Sequence, residues 1–190
     1  MKNLFASLLF MICFQILSAQ KSTQTETFLI LPESELIIAG STNVNKFDCK
    51  FNIDLISGYM TVEYAEESNC IRFSNLDLNL LTEGFDCGNK RMNSDFQHLL
   101  MSDKFPEIQI RISEIQLISD EYLKTFISVR LAGIEQNYDF PVLLGNNSFA
   151  GKFKLNIRDF GLEPPKKVLG LIEVDEIIEV RFKLMIERKY

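Results

Sequence analysis

The alternation of apolar and polar residues constrains the fold of this chain more than any other feature. The clearest example is residues 46–55, whose apolar positions are Phe47, Cys49, Phe51, Ile53 and Leu55. Because successive side chains of a β-strand point to opposite faces, this segment has one buried face and one face in water. Similar alternation recurs at 106–112, 127–131, 149–157 and 178–186. A chain of such strands encloses an interior, which is either a solid core or a ligand cavity.

Turn signals between the alternating segments predict about eight strands. Strand 46–55 ends at Ser57-Gly58, and 59–64 is its expected hairpin partner. In the strand expected at 70–81, the apolar positions shift from odd to even numbers, which is typical of a β-bulge. One or two strands are expected at 29–39 around Pro32. The others are expected at 106–118, 122–132, 136–144, 148–158 and 168–188, with Gly145-Asn146-Asn147 as a hairpin loop.

One segment departs from the strand pattern and predicts a short helix at 91–101. Asn93 or Ser94 can cap its start, and Phe96, Leu99 and Leu100 fall on one helical face. Eight antiparallel strands that close into a barrel leave no exposed sheet edge, and their interior holds side chains or one ligand. The helix would then cover an open end, either as a fixed plug or as a movable lid.

The first 19 residues predict an export signal. Lys2 provides the positive charge, 4–17 is a short apolar run, and Ala19 is a small residue before a cleavage point. We expect residues 20–190 to form a single domain that is exported, either to the periplasm or outside the cell. After cleavage we expect no stable membrane span, because the apolar run is shorter than the ~20 residues that a span needs.

The side chains present argue against catalysis. His98 is the single histidine, so a histidine triad or a multi-histidine metal site is excluded, and we expect neither a metal nor another cofactor. Glu173, Asp175 and Glu179 resemble a glycosidase acid cluster, but their spacing does not fit one. The chain is acidic, with a net charge of −6, and has no basic stripe, so nucleic acid is not an expected partner.

Three cysteines remain after the expected cleavage: Cys49, Cys70 and Cys87. An oxidising compartment allows two of them to pair. A bridge between Cys49 and Cys87 would attach the helical segment to the barrel. Other pairings and a fully reduced state remain alternatives.

Sixteen phenylalanines and no tryptophan predict an interior that is apolar and poor in hydrogen-bonding groups. Such an interior suits either an ordinary core or a lumen that holds an aliphatic chain. Strand and helix parity alone gives the following lumen candidates: Phe47, Phe51, Ile53, Phe73, Phe96, Leu100, Ile110, Val129, Phe153, Leu155 and Phe182.

Three passages resemble the YceI-like family of exported lipid-binding proteins. They are Leu99-Leu100 with 104–108 (Lys-Phe-Pro-Glu-Ile), then 131–135 (Leu-Ala-Gly-Ile-Glu), then 153–161, which ends in Asp-Phe-Gly. The resemblance implies an all-β fold, namely an extended antiparallel eight-stranded lipocalin-like barrel with one short α-helix insertion. It also implies a long apolar tunnel, which in some members holds a polyisoprenoid.

The sequence thus predicts a non-enzymatic exported protein that sequesters a long apolar or amphiphilic ligand in its barrel. An isoprenoid or another long-chain lipid is the expected partner, and a homodimer is left open. The alternative is an envelope interaction or stress-related module whose interior is a filled core. That alternative predicts no cavity above a few water volumes and an exposed apolar patch.

Overall fold

The computed structural model describes residues 23–164, 166–167 and 172–189. The predicted export signal, residues 1–19, lies outside this part of the chain. The strands are β1 Thr23–Ile30, β2 Glu35–Ser41, β3 Lys46–Phe51, β4 Gly58–Glu67, β5 Cys70–Phe73, β6 Asp77–Leu81, β7 Phe85–Asp86, β8 Glu107–Leu117, β9 Tyr122–Leu131, β10 Ile134–Gly145, β11 Ser148–Asn156, β12 Lys166–Lys167, β13 Ile172–Glu173 and β14 Ile177–Lys189. One α-helix, α1 Lys90–Leu99, lies among the described residues.

Eight strands form a closed antiparallel ring. Their order is β1, β4, β5, β8, β9, β10, β11 and β14, and β14 pairs with β1 to complete the circle. Strand β14 is 13 residues long and also pairs with β2, so β1 and β2 follow one another along the same edge of β14. The predicted eight-stranded barrel with one helical insertion is therefore confirmed.

Strands β2, β3 and β7 extend the sheet at one end of the barrel. Strand β3 pairs with β2 and β7, whereas β4 pairs with β1 and β5. The prediction that 59–64 is the hairpin partner of 46–55 is therefore wrong. Strand β3 ends at Phe51 because Asn52 caps a 3-10 turn, Ile53–Leu55, and its side chain accepts a hydrogen bond from the Asp54 amide at 3.2 Å.

The segment expected to be one strand at 70–81 is two strands that share a partner. Strands β5 and β6 both pair with β8, and Asn75 between them accepts a hydrogen bond from the Glu63 amide at 2.7 Å. The bulge lies on β8, between Ile112 and Glu114. The shift in apolar parity thus reflects the interruption between β5 and β6, which lies opposite the bulge on β8. It does not reflect a bulge within 70–81 itself.

The observed cap of helix α1 lies four residues before Asn93, one of the two expected caps. Asn89 is the capping residue, since its side chain accepts a hydrogen bond from the Met92 amide at 3.0 Å. Asn93 instead accepts from the Cys87 amide at 2.7 Å and donates to Asp86 at 3.1 Å. The other expected strands between 106 and 158 are present, and Asn146-Asn147 connects β10 to β11 as predicted.

The barrel has two different ends, which the strand register defines. The mouth is the end with the start of β1, the finish of β14 and the β4–β5, β8–β9 and β10–β11 turns. The helix end is the opposite one, with the β9–β10 turn and the segment 80–108 that contains α1. At this end the ring of Phe105 lies against Gly133, where an added Cβ would come within 2.8 Å of the ring.

Phenylalanine rings fill the barrel by lying over glycines on neighbouring strands. A Cβ on Gly40 would come within 2.4 Å of the Phe47 ring, and one on Gly151 within 2.7 Å of the Phe182 ring. Phe140 stacks on Phe153 with ring centroids 4.5 Å apart. These close approaches make the part of the barrel toward the helix end a densely packed core. A side chain on either glycine would displace a ring there.

The parity of β3 generates a stability prediction. Phe51 is 6% exposed and packs on Phe85 with ring centroids 4.9 Å apart, whereas Lys50 is exposed and lies opposite Asp86. Phe51→Asp should lower the free energy of unfolding by about 4 kcal/mol or more, because it buries a carboxylate in an apolar site. Lys50→Asp should cost at most about 1 kcal/mol, from repulsion between exposed carboxylates. Thermal unfolding of the two variants checks this, and equal losses would contradict the assignment of faces.

Candidate ligand-binding interior

The interior at the helix end is almost full. The cavity there measures about 40 Å³ and has an apolar lining. Its volume is enough for a few waters at most, whereas small-molecule sites usually enclose roughly 300–1,000 Å³. The lining residues are Leu36, Ile38, Leu80, Phe85, Phe96, Leu100, Ile108, Ile110, Val129, Leu131, Phe153, Leu155, Ile178 and Val180.

Helix α1 closes this end through aromatic and aliphatic contacts. The Phe96 ring lies 5.2 Å from that of Phe85, which in turn packs on Phe51. Leu100, directly after the helix, is 4% exposed and completes the cover. The packing corresponds to a plug, since these side chains belong to the same apolar cluster as the barrel core.

A disulfide attaches the plug to the barrel wall. The structure pairs Cys49 on β3 with Cys87, three residues before α1, while Cys70 is a free thiol on β5. The same segment is held by Asp86, whose carboxylate accepts from the Gly88 amide and the Asn93 side chain. These two hydrogen bonds lower the pKa of Asp86 below its usual value. The start of α1 is therefore fixed both covalently and by hydrogen bonds.

The mouth is packed differently. Six of its inward-facing apolar residues are half-buried and lie outside the packed core cluster, whereas Ile30 and Val62 on the same face are buried. Phe28 on β1 illustrates the geometry, because its register partners are Met60 on β4 and Arg188 on β14. Alternation along β1, β4, β5 and β14 gives the six half-buried residues: Phe28, Met60, Ile71, Phe73, Leu184 and Ile186.

A small polar group lies on the same inward face, nearer the rim of the mouth. The Arg188 guanidinium pairs with the Glu26 carboxylate at 2.9 Å and lies 5.9 Å from the centroid of the Phe28 ring. The Tyr64 hydroxyl donates to Gln24 Oε1 at 3.0 Å. The apolar inner wall of β1, β4 and β14 thus ends in polar groups, an arrangement that matches the two halves of an amphiphilic molecule.

The pKa of Tyr64 is shifted by this setting. Burial raises the pKa of the phenol above its usual value, and the nearby Glu26 carboxylate raises it further. The Arg188 guanidinium acts in the opposite direction. Tyr64 therefore stays protonated at neutral pH and acts as a hydrogen-bond donor inside the mouth.

Exposed apolar side chains lie around part of the mouth. Leu143 and Tyr122 are cross-strand partners, 44% and 45% exposed, and Ile118 in the β8–β9 turn is 63% exposed. Leu117, at the end of β8, is 53% exposed. We call these four residues the apolar rim.

The structure separates the predicted lumen residues into three groups. Six line the small cavity at the helix end: Phe96, Leu100, Ile110, Val129, Phe153 and Leu155. Four belong to the packed core without lining that cavity: Phe47, Phe51, Ile53 and Phe182. Phe73 lies in the mouth, with its ring centroid 6.3 Å from that of Tyr64. The polar residues of the mouth had no sequence signal beyond the alternation of β1, β4 and β14.

The acidic segment lies outside the barrel. Glu173, Asp175 and Glu176 line a surface groove of about 410 Å³, whereas Glu179 points outward from β14 toward Arg181. Asp175 accepts a hydrogen bond from Ser41, and Glu176 pairs with Arg158 at 2.5 Å. Among the described residues, no group of three or more histidine, cysteine or acidic side chains could hold a metal ion. His98 is exposed on α1.

Solved structures share this barrel. BcnA of Burkholderia cenocepacia is 13% identical with a TM-score of 0.57, and the match covers 84% of this chain and 99% of that one. A polyisoprenoid binding domain from Saccharophagus degradans is 10% identical with a TM-score of 0.58, covering 87% and 100%. The YCEI protein of Campylobacter jejuni is 15% identical with a TM-score of 0.52, covering 62% and 74%. At these identities the likeness shows a common fold.

The fold is therefore that of the YceI-type barrels, and the sequence agrees. The family model of the YceI-like domain matches residues 33–186, so the chain belongs to this family. No curated protein matches it. Within the part of the chain that the structure describes, no helix is long and apolar enough to cross a membrane.

The disulfide at the base of α1 generates a prediction. It closes a segment of 38 residues, so its loss should lower the free energy of unfolding by about 2–4 kcal/mol. A reductant should therefore lower the melting temperature of the wild-type protein. The double variant Cys49→Ala, Cys87→Ala should melt lower and be insensitive to reductant.

Cys70→Ala is the matched control, because it removes the free thiol and keeps the disulfide. It should respond to reductant as the wild type does. A wild-type melting temperature that does not change on reduction would show that the bridge does not fix the plug.

Proposed function

We propose that this protein binds a long apolar or amphiphilic molecule, an isoprenoid-type lipid in particular, with the apolar tail inside the barrel. The tail enters through the mouth and the helix end stays closed. The observation that carries the proposal is the set of half-buried apolar side chains facing inward at the mouth, of which Phe28, Met60 and Ile186 are the clearest. The Saccharophagus degradans structure, which is a polyisoprenoid binding domain of the same fold, supports the same ligand class.

Burial of the tail supplies the affinity. Each CH₂ moved from water into the barrel contributes roughly 0.8 kcal/mol, so a tail of about ten carbons binds without a charged anchor. The distance from Ile186 to Ile178 along β14 is about 26 Å at ~3.3 Å per residue. The part of this path near the mouth is lined by half-buried side chains, while the part toward the helix end is packed by Phe153 and Phe182. The tail therefore occupies the part of the barrel near the mouth first. Deeper entry requires the rings of Phe153 and Phe182 to move.

The proposal places the mature protein outside the cytoplasm. Its support is the apolar run at 4–17 with the small residue Ala19 behind it, together with a disulfide, which persists in oxidising compartments. A binding role is proposed rather than an enzymatic one, because the interior is apolar and the acidic segment lies on the outside.

A second function has its own supporting observations. The cavity at the helix end holds only about 40 Å³, and the apolar rim is exposed. Both features suit an envelope interaction module with a filled core that meets a partner through the rim. The two functions differ in what the protein carries, since the module holds no lipid.

Native mass spectrometry and organic extraction of protein purified from its own host distinguish these functions. We expect a bound species whose mass survives gentle ionisation and appears in the organic phase as a molecule with a long apolar chain. Repeated preparations without any lipid, and no binding of added isoprenoid alcohol, would leave the interaction module.

A pair of variants tests whether the mouth is the site. Met60→Gln places a polar group on the inward face and should weaken isoprenoid alcohol binding about fivefold or more, because an amide in the tail path loses its hydration. Leu29→Gln makes the same kind of change on the outward face of β1 and should leave binding unchanged. Displacement of a fluorescent apolar probe measures both affinities, and equal weakening would contradict the site.

A further inference from the structure

The polar groups in the mouth carry information about the head of the ligand, beyond the class of its tail. Five polar or charged residues share the inward face there: Gln24 and Glu26 on β1, Tyr64 and Glu66 on β4, and Arg188 on β14. Their register fixes this, because Gln24 lies opposite Tyr64 and Glu26 lies opposite Val62, which is 2% exposed. Glu66 continues the same face two residues beyond Tyr64, and its charge raises the pKa of that phenol.

The charges of this group are unbalanced. Among the described inward-facing residues of the mouth, two carboxylates, Glu26 and Glu66, accompany one guanidinium, Arg188. The guanidinium is already engaged by Glu26 at 2.9 Å and lies over the Phe28 ring. The Glu26 side chain is 25% exposed, so its field is less screened than at an open surface.

We propose that the mouth selects amphiphiles whose head is uncharged, a hydroxyl or an amide, over those that end in phosphate or carboxylate. This inference rests on the proposed function, because it concerns the head of the molecule whose tail fills the barrel. An anionic head meets two carboxylates, and Arg188, the one cation among the described inward-facing residues of the mouth, is already paired with Glu26. Sharing the guanidinium with an anionic head weakens its pairing with the partly buried Glu26 carboxylate, which opposes binding.

An uncharged head avoids this cost. A hydroxyl donates its proton to the Glu26 carboxylate and accepts from the amide of Gln24, so the ion pair with Arg188 remains intact. Tyr64, protonated at neutral pH, holds Gln24 in place through the hydrogen bond of 3.0 Å. The site therefore offers an acceptor and a donor at neighbouring inward positions of β1.

Competition between two ligands with the same tail tests the proposal. Farnesol and farnesyl phosphate, each below its micellar concentration, displace N-phenyl-1-naphthylamine from the full chain at pH 8, where the phosphate is fully charged. We expect farnesol to bind at least tenfold more tightly than farnesyl phosphate. Equal affinities, or tighter binding of the phosphate, would overturn the head selectivity and leave tail binding in the barrel intact.

Variants assign the selectivity to the mouth. Glu26→Gln keeps the size of the side chain, removes one negative charge and releases Arg188, so farnesyl phosphate should bind at least fivefold more tightly while farnesol changes less than twofold. Glu63→Gln removes the same charge from the outward face of β4 and should change neither affinity. If both variants strengthen phosphate binding equally, net charge rather than the mouth is responsible, and the proposal fails. If neither ligand binds the wild-type protein, the proposed function fails and this inference fails with it.

Discussion

The pairing of β14 with three other strands holds the molecule together. Along one edge β14 pairs with β11, and along the other it pairs first with β2 and then with β1. The pairing with β1 closes the ring, whereas the pairing with β2 adds the β2–β3–β7 extension that carries Cys49. Barrel closure and the anchor of the plug therefore depend on the same strand. Because each contact joins residues far apart in sequence, this closure costs loop entropy that only the completed core repays.

The two ends of the barrel differ because different residues cover them. At the helix end, Phe85, Phe96 and Leu100 complete an apolar core, and the Cys49–Cys87 bridge keeps the covering segment in place. At the mouth several inward apolar side chains, Phe28 and Met60 among them, are half-buried, and the wall ends in the Glu26–Arg188 pair. An amphiphile needs one apolar and one polar environment in sequence, and only the mouth provides them in that order among the described residues.

Strand parity predicted which way side chains point, but not their height along the barrel. The alternation at 46–55 correctly places Phe47, Cys49 and Phe51 on the inner face, and the short helix follows from Phe96, Leu99 and Leu100. Height depends on which strands pair and in what register, and these are tertiary properties. The sequence therefore could not separate Phe73, which lies in the mouth, from Phe153, which lines the cavity at the opposite end.

The same limit explains the wrong predictions. The expected pairing of 59–64 with 46–55 assumed that neighbouring strands form a hairpin, but the Asn52 cap redirects the chain and β4 joins β1. The polar group of the mouth was not predicted because Gln24, Glu26 and Arg188 lie near the two ends of the described chain. They meet only when β14 pairs with β1. A site assembled by ring closure leaves no local motif.

We propose above all that the ligand enters through the mouth while the helix end stays closed. Methyl NMR with a long-chain alcohol that carries a spin label near its hydroxyl tests this claim most directly. We expect strong broadening of the Met60 and Ile186 methyl signals and little effect on Met92 of α1. Broadening centred on Met92 and Leu100, with the signals of Met60 and Ile186 unaffected, would contradict it.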